Sequence, residues 1–237
     1  MSDNHRLTPF RPHAMGMRSV GIAVAAAVAI GLFSTSRASQ VERVVVNNTV
    51  ISRRDPAVEI KLPSSIHYVG TDHFLLSQPK LGNTEDCELY AFVDSADGHS
   101  VRGFYWIQFE GYLPGHPQLH MTYDSPQHVM IGGLDFYVDA GVGSAGKTPK
   151  PGSDLAHFSS LLSSHGYRRD DTMWVRLVHL LDATKRKELM IIYAESLTPT
   201  GYTAAQLNDS GVEHAKWATI ATGLTRRAVQ NISIKPR

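Results

Sequence analysis

Cysteine is almost absent from this chain, because Cys87 is the only one among 237 residues. A single cysteine excludes an intramolecular disulfide, so the fold must be stabilised by packing. Three carboxylates, Glu85, Asp86 and Glu88, surround it. Negative neighbours disfavour the thiolate that a nucleophile or metal ligand requires. We therefore predict that Cys87 is buried and inert.

An excess of charge of one sign is also lacking. Of the 23 basic and 22 acidic residues, four basic and one acidic precede residue 39, which leaves 19 and 21 in the remainder. This near balance, slightly negative, gives no electrostatic case for binding nucleic acid. The sequence therefore predicts that nucleic acid is not a partner.

Hydrophobic runs are short, apart from 14 uninterrupted apolar residues between Val20 and Phe33. A membrane-spanning helix needs about 20 residues, whereas this length is typical of a secretory signal core. The small residues Ser36 and Ala38 fit a signal-peptidase site, which predicts a signal peptide over residues 1–38 and a single exported domain over 39–237. We expect a periplasmic or secreted protein. If the segment is not cleaved, it instead anchors the chain in a membrane.

The remaining sequence indicates strands in hairpins. β-branched and aromatic runs flank turn signals at Asn47-Asn48, at residues 95–98 and at residues 182–187, and Gly132-Gly133 indicates a bulge or sharp bend. Two helices are predicted, one capped by Ser153 and ending near Ser164, the other from about Val212 to Gln230. Residues 56–65 and 141–152 are interpreted as flexible connections. We predict an α+β fold, an antiparallel β-sheet built from hairpins on which the shorter helix and the C-terminal helix pack.

A phosphate-loop pattern, G-x-x-x-x-G-K-[ST], occurs from Gly141 to Thr148. In a working phosphate loop a helix begins at the Lys-[ST] pair and its N-terminus faces the phosphates. Here Pro149 follows Thr148 directly, and proline biases the preceding residue away from helical conformation. We therefore predict a loop that does not bind nucleotide, and no cofactor.

One strand carries two unlike faces. Alternation within residues 102–112 places Tyr105, Ile107 and Phe109 on one apolar face, which we interpret as core. The opposite face mixes aromatic surface with hydrogen-bonding groups, as ligand pockets do. We predict ligand binding by this face, which comprises Arg102, Phe104, Trp106, Gln108, Glu110 and Tyr112. The alternative is that Phe104 and Trp106 pack beneath a helix.

Histidine is concentrated in one stretch. The residues that a metal site there would use are His116, His120, Asp124 and His128. Pro117 and Pro126 exclude a continuous helix that would align them, so we predict solvated loop histidines and no metal site.

The sequence leaves three functions open. The first is a non-enzymatic protein that binds a small molecule or an envelope protein. The second is an exported hydrolase or isomerase in which Glu110 acts as acid or base, with a histidine from residues 116–128 as helper. The third, if the N-terminal segment is not cleaved, is a single-pass membrane-anchored accessory subunit.

Overall fold

Alternating apolar residues and turn-forming pairs divide the chain into twelve strands and three α-helices within residues 42–237, which the structure, a computed structural model, describes. The strands are β1 (Arg43–Val46), β2 (Thr49–Ser52), β3 (Val58–Lys61), β4 (His67–Gln78), β5 (Gly82–Ser95), β6 (Ser100–Tyr112), β7 (His128–Ile131), β8 (Leu134–Gly143), β9 (Arg168–Arg169), β10 (Thr172–Leu180), β11 (Lys187–Ser196) and β12 (Ser233–Pro236). The helices are α1 (Asp154–Ser164), α2 (Ala204–Leu207) and α3 (Trp217–Asn231). The predicted signal segment, residues 1–38, lies outside the described residues.

The strands form two sheets. The large sheet has the order β4-β5-β6-β11-β10-β8-β7, with antiparallel neighbours throughout, and the two residues of β9 pair in parallel with one end of β6. The small sheet has the antiparallel order β1-β2-β3-β12. A mixed α+β fold dominated by antiparallel strands, with a C-terminal helix, is therefore confirmed. The prediction of one sheet was wrong, because β1, β2 and β3 form a separate sheet that the distant β12 completes by pairing with β3.

Each face of the large sheet carries its own hydrophobic core. The first core receives Tyr105 and Ile107 from β6, Ile60 from the small sheet and Leu224 from α3. The second receives Phe104 and Trp106 from β6 together with residues of α1. A central strand covered on both faces is apolar on both, which is the pattern β6 shows.

Tight turns join neighbouring strands where glycine and asparagine permit a left-handed backbone. Asn47 and Asn48, between β1 and β2, have φ values of 47° and 57°. Gly132 and Gly133, between β7 and β8, have φ values of 60° and 83°, so this pair forms the turn itself and no bulge within a strand. Positive φ at both central residues matches the twist of the strands that such a turn connects.

Two other expectations need correction. Residues 56–65 are not a flexible connection, because Val58 and Ile60 are buried in the core and β3 pairs on both sides. The C-terminal helix begins at Trp217 and not near Val212. The backbone before it turns back onto α2 instead, since the Glu213 amide donates to the Gln206 carbonyl at 2.9 Å.

Among the helices of residues 42–237, none combines the length and the hydropathy of a membrane span.

Candidate functional site

The aromatic part of the predicted binding face is covered by α1. Ser153 caps this helix by accepting from the Ala156 amide, and the helix places the fully buried Phe158 over β6. The Phe158 ring stacks on Trp106 with centroids 4.7 Å apart and 8° between the planes, and it lies 4.8 Å from Phe104. Phe104 and Trp106 are each only 3% exposed. Their interpretation as walls of an open pocket is therefore corrected: they belong to the second core.

Arg102 lies apart from the rest of that face. Its side chain is exposed, and Nη2 donates to the Asp94 carboxylate at 2.5 Å. This is a cross-strand surface ion pair between β5 and β6, of the kind that contributes little to stability. Arg102 therefore does not join the polar residues at the other end of β6.

Those polar residues form a hydrogen-bonded chain along β6. The Trp106 indole Nε1 donates to Gln108 Oε1 at 2.8 Å, and Gln108 Nε2 donates in turn to Glu110 Oε2. Gln108 is fully buried. A buried amide must find partners within the protein, and here both of its polar atoms find one on the same strand.

The chain ends at a pair of carboxyl groups. Glu110 lies directly opposite Glu188 of β11 in the antiparallel register. Glu188 is 1% exposed, and the Tyr123 hydroxyl lies 2.8 and 2.7 Å from its two carboxylate oxygens. Desolvation by burial raises the pKa of Glu110 well above its usual value, and the neighbouring Glu188 charge raises it further. Glu110 therefore keeps its proton to a higher pH than an exposed glutamate does.

Cys87 borders this pair and is buried, as predicted. Its Sγ lies 3.7 Å from Glu110 Oε2. Burial raises the pKa of the Cys87 thiol, and the charges of Glu110 and Glu85 add to the effect. The protonated thiol is a packing residue of the second core and a poor nucleophile.

Tyr112, the last predicted binding residue, is half-buried beside Arg186. The Arg186 guanidinium lies 5.8 Å from the centroid of its ring. Arg186 also donates to four backbone carbonyls of the following segment, those of Tyr112, Leu113, His116 and Leu119. Arg186 thus holds that segment, and Tyr112 lies beside it at the end of β6.

Sequence reasoning missed Glu188, Tyr123 and Arg186. Glu188 precedes the apolar run of β11, and only the register between β6 and β11 brings it opposite Glu110. Tyr123 reaches it from a loop 65 positions away in sequence. No local pattern marks either contact.

The candidate metal ligands do not converge. Within residues 42–237 no group of three or more histidine, cysteine, aspartate or glutamate side chains is arranged to hold a metal ion. His116 Nε2 lies 3.0 Å from the Asn83 carbonyl, His120 bonds the nearby Gln118 carbonyl, and His128 pairs with Asp135 at 3.0 Å. Asp124 is exposed.

The phosphate-loop pattern divides between a strand and a turn. Gly141 and Gly143 lie in β8, and the next helix begins only at Asp154, so no helix N-terminus faces this loop. Gly141 lies opposite Trp174 of β10, and a Cβ there would come within 2.5 Å of the indole ring. This glycine makes room for a tryptophan across the sheet.

The large sheet ends in two edge strands of unequal length. β4 is the terminal strand in the sheet order and has 12 residues, against four in β7 at the other end. Its register with β5 shifts after Tyr68 and after Leu76, which leaves residues 70–76 in regular pairing. Tyr68 and Leu75 are 41% and 43% exposed.

Comparison with protein-family models, with curated proteins and with solved structures finds no match to this chain.

Proposed function

We propose that this chain is an exported, non-enzymatic interaction protein of the cell envelope or of the secreted fraction. In this proposal the outer edge of β4 receives an extended segment of a partner polypeptide as an additional strand. The observation that carries the proposal is the regularly paired stretch 70–76 of the terminal strand β4, whose outer side pairs with no other strand of residues 42–237.

Edge strands expose backbone donors and acceptors, and proteins usually blunt them by shortening, bulging or covering them. β4 has bulges on both sides of residues 70–76 and none within them. Its charged side chains are already engaged, since His157 lies 2.9 Å from Asp72 and His73 lies 2.5 Å from Asp86. Seven residues span about 23 Å at the usual rise of a strand, which is long enough to bind a partner strand.

Export is supported by the sequence that precedes the fold. The apolar run from Val20 to Phe33 and the predicted cleavage site after Ala38 both come before β1, which begins at Arg43. A mature chain starting at Ser39 thus contains every strand and helix of the two sheets.

A small-molecule site on β6 is less well supported than this edge. Phe158 occupies the space that a ligand would need above Phe104 and Trp106. The hydrogen-bonding groups beyond them are directed at each other, because Gln108 and Tyr123 donate to the carboxyl pair. Most of the aromatic surface and hydrogen-bonding groups of this face are therefore already engaged within the protein.

The test is native mass spectrometry of the protein recovered from its export compartment, with the same sample measured after denaturation. We expect a denatured chain beginning at Ser39 and a native excess mass that corresponds to a polypeptide. Leu75→Lys should abolish the excess, because a charge at this edge opposes strand addition. Val212→Lys is the matched control, since Val212 is an exposed apolar residue, 87% accessible, in a loop away from β4.

An excess mass that survives Leu75→Lys together with Tyr68→Lys would reject β4 as the contact surface. An excess mass of small-molecule size would instead support the binding of a small ligand.

A second candidate is an exported hydrolase or isomerase with Glu110 as the acid. The favouring observation is the cross-strand position of Glu110 opposite Glu188, where burial raises the pKa of Glu110, because two neighbouring carboxyls of unlike pKa can act as an acid and base pair. Turnover of an ester, glycoside or peptide substrate that Glu110→Gln abolishes, without loss of folding, would support this candidate. Activity equal in wild type and variant would reject it.

A third candidate, the membrane-anchored accessory subunit, depends on the fate of residues 1–38. A denatured mass that retains Val20 to Phe33 would support it over the exported form. In that case the same β4 edge would be the surface to test for a partner chain.

A further inference from the structure

The sheet face that carries α1 continues beyond the helix. α1 packs on β4 and β5, and its Phe158 reaches over β6, whereas β11, β10 and β8 extend the same face further. Alternation and register place five half-buried side chains of these strands on that face. We call them the Trp174 patch: Tyr137, Asp139, Trp174, Arg176 and Ile192. Since each of them is partly accessible, solvent reaches this part of the sheet.

The Trp174 indole lies across the backbone of β8. A Cβ at Gly141 would come within 2.5, 2.9 and 3.1 Å of three atoms of its six-membered ring, and a Cβ at Gly143 would lie 3.8 Å from Cδ1. These glycines are two positions apart on β8 and therefore lie on the same side of the sheet. Because β8 occupies the inner face of the indole, the accessible part of this half-buried side chain is its outer side.

An ion pair lies beside the indole on the same face. Arg176 follows Trp174 by two positions on β10, about 7 Å at the usual rise of a strand, and lies opposite Asp139 of β8. Arg176 Nη2 donates to Asp139 Oδ2 at 2.5 Å, and the two side chains are 36% and 34% exposed. A guanidinium has five N–H donors and a carboxylate two accepting oxygens, so this bond leaves donors and an acceptor available.

Unused hydrogen-bonding capacity distinguishes the Trp174 patch from the β6 face. The Trp106 indole donates to Gln108, whereas the Trp174 indole N–H has no hydrogen-bond partner among residues 42–237. Arg176 Nε is buried and also lacks a partner in this part of the chain. Buried polar groups in proteins are nearly always paired, so an unpaired one requires an explanation. Aromatic surface beside convergent polar groups is the composition of a ligand site.

We propose that the Trp174 patch binds a neutral sugar unit of a glycan, stacked on the outer side of the Trp174 indole, with neighbouring hydroxyls bonded to Arg176 and Asp139. The C–H bonds on one face of a sugar ring are weakly positive, and they suit the negative face of an aromatic ring. Each hydroxyl both donates and accepts, so two adjacent hydroxyls match a guanidinium and a carboxylate side by side. The ion pair has no net charge, which favours a neutral ligand over a phosphate or an amine.

Two features border the Trp174 patch along the strands. At one end the Tyr123 ring lies 5.5 Å from the Arg176 guanidinium and 5.8 Å from the Tyr137 ring, between centroids in the second case. At the other end the loop 144–153 leaves β8 after Gly143. The stretch of β8 from Tyr137 to Gly143 spans about 20 Å at the usual rise of a strand, which is long enough for a short oligosaccharide.

Isothermal titration calorimetry of the recovered protein tests the site, with cellotetraose, chitotetraose, xylotetraose and maltotetraose as probes. We expect at least one probe to bind with a Kd below about 1 mM. Trp174→Ala and Asp139→Ala should each weaken that binding by about tenfold or more, because they remove the stacking surface and a charged acceptor. Asp94→Ala is the matched control: Asp94 is 37% exposed, is paired with Arg102 at 2.5 Å and lies on β5, two strands away from β10. It should leave the affinity unchanged.

A wild type that binds none of the four probes overturns the proposal, as does binding that Trp174→Ala and Asp139→Ala leave unchanged. If Trp174→Ala does not fold, the comparison of Asp139→Ala with Asp94→Ala decides. Binding of an octaproline peptide in place of the sugars would refute the sugar assignment and indicate a peptide site. The site is separate from the β4 edge, so Leu75→Lys should not alter the affinity for a sugar, and either proposal can fail without the other.

Discussion

Removing the Phe158 ring is the most direct test of whether the aromatic face of β6 is core. Phe158 is fully buried and contacts both Trp106 and Phe104 through its ring. Phe158→Ala should leave the backbone of α1 intact, because alanine is the best helix former. The substitution removes the ring that covers Phe104 and Trp106 of β6.

The size of the effect can be worked out from these contacts. Burial of a phenylalanine side chain contributes about 1.5–3 kcal/mol, and each aromatic contact adds about 0.5–1.5 kcal/mol. The cavity left beneath α1 cannot close fully, so we expect a loss of about 3–5 kcal/mol in the free energy of unfolding. A domain of ordinary stability, about 5–15 kcal/mol, would become marginal.

Urea unfolding followed by tryptophan fluorescence measures this loss. Phe158→Leu retains most of the volume and should cost less than about 1.5 kcal/mol. Leu155→Ala on the same helix removes a side chain that is 38% exposed and should change stability by about 0.5 kcal/mol or less. If Phe158→Ala costs no more than Leu155→Ala, the aromatic face is not core and the original interpretation as a ligand pocket regains its basis.

Two further predictions concern contacts across and between the sheets. Arg43→Met removes a donor 2.7 Å from Glu88 and a guanidinium 4.0 Å above the Phe109 ring. We expect the free energy of unfolding in urea to fall by about 1–3 kcal/mol. This is less than the usual loss for a buried ion pair, because the Glu88 side chain is 30% exposed. If the double variant with Glu88→Gln is no more stable than Arg43→Met alone, the loss comes from packing and not from an unpaired charge. Gly141→Ala places a Cβ against Trp174 and should cost about 1–3 kcal/mol, whereas Gly146→Ala, whose Cβ would meet only Ser144 at 3.9 Å, should be near neutral. Equal effects of the two would argue against Trp174 as the reason for a glycine at position 141.

Features that depend on residues close together in the chain were predicted correctly from the sequence. Alternation along β6 divided its side chains correctly between two faces, since Tyr105 and Ile107 lie in one core and Phe104 and Trp106 in the other. The charges beside Cys87 indicated an unreactive thiol, and the structure adds burial as the larger cause. Both signals act over a few residues and need no knowledge of distant strands.

What the sequence did not predict depends on contacts between distant segments. β12 completes the small sheet by pairing with β3, more than 170 positions earlier, and β11 brings Glu188 opposite Glu110. A strand of four residues such as β3 carries too few side chains to be distinguished from a loop, and its partner determines that it is a strand.

The interpretation of the β6 face also shows why amphipathic composition alone does not identify a site. A ligand pocket and a second core both require aromatic walls and a few polar groups, so residues 102–112 suit either. The difference lies in where the polar groups direct their hydrogen bonds. In this protein Trp106 donates to Gln108, Gln108 to Glu110, and Tyr123 closes the chain at Glu188. A pocket for a ligand would leave much of that capacity unused, whereas here most of it is satisfied within the protein.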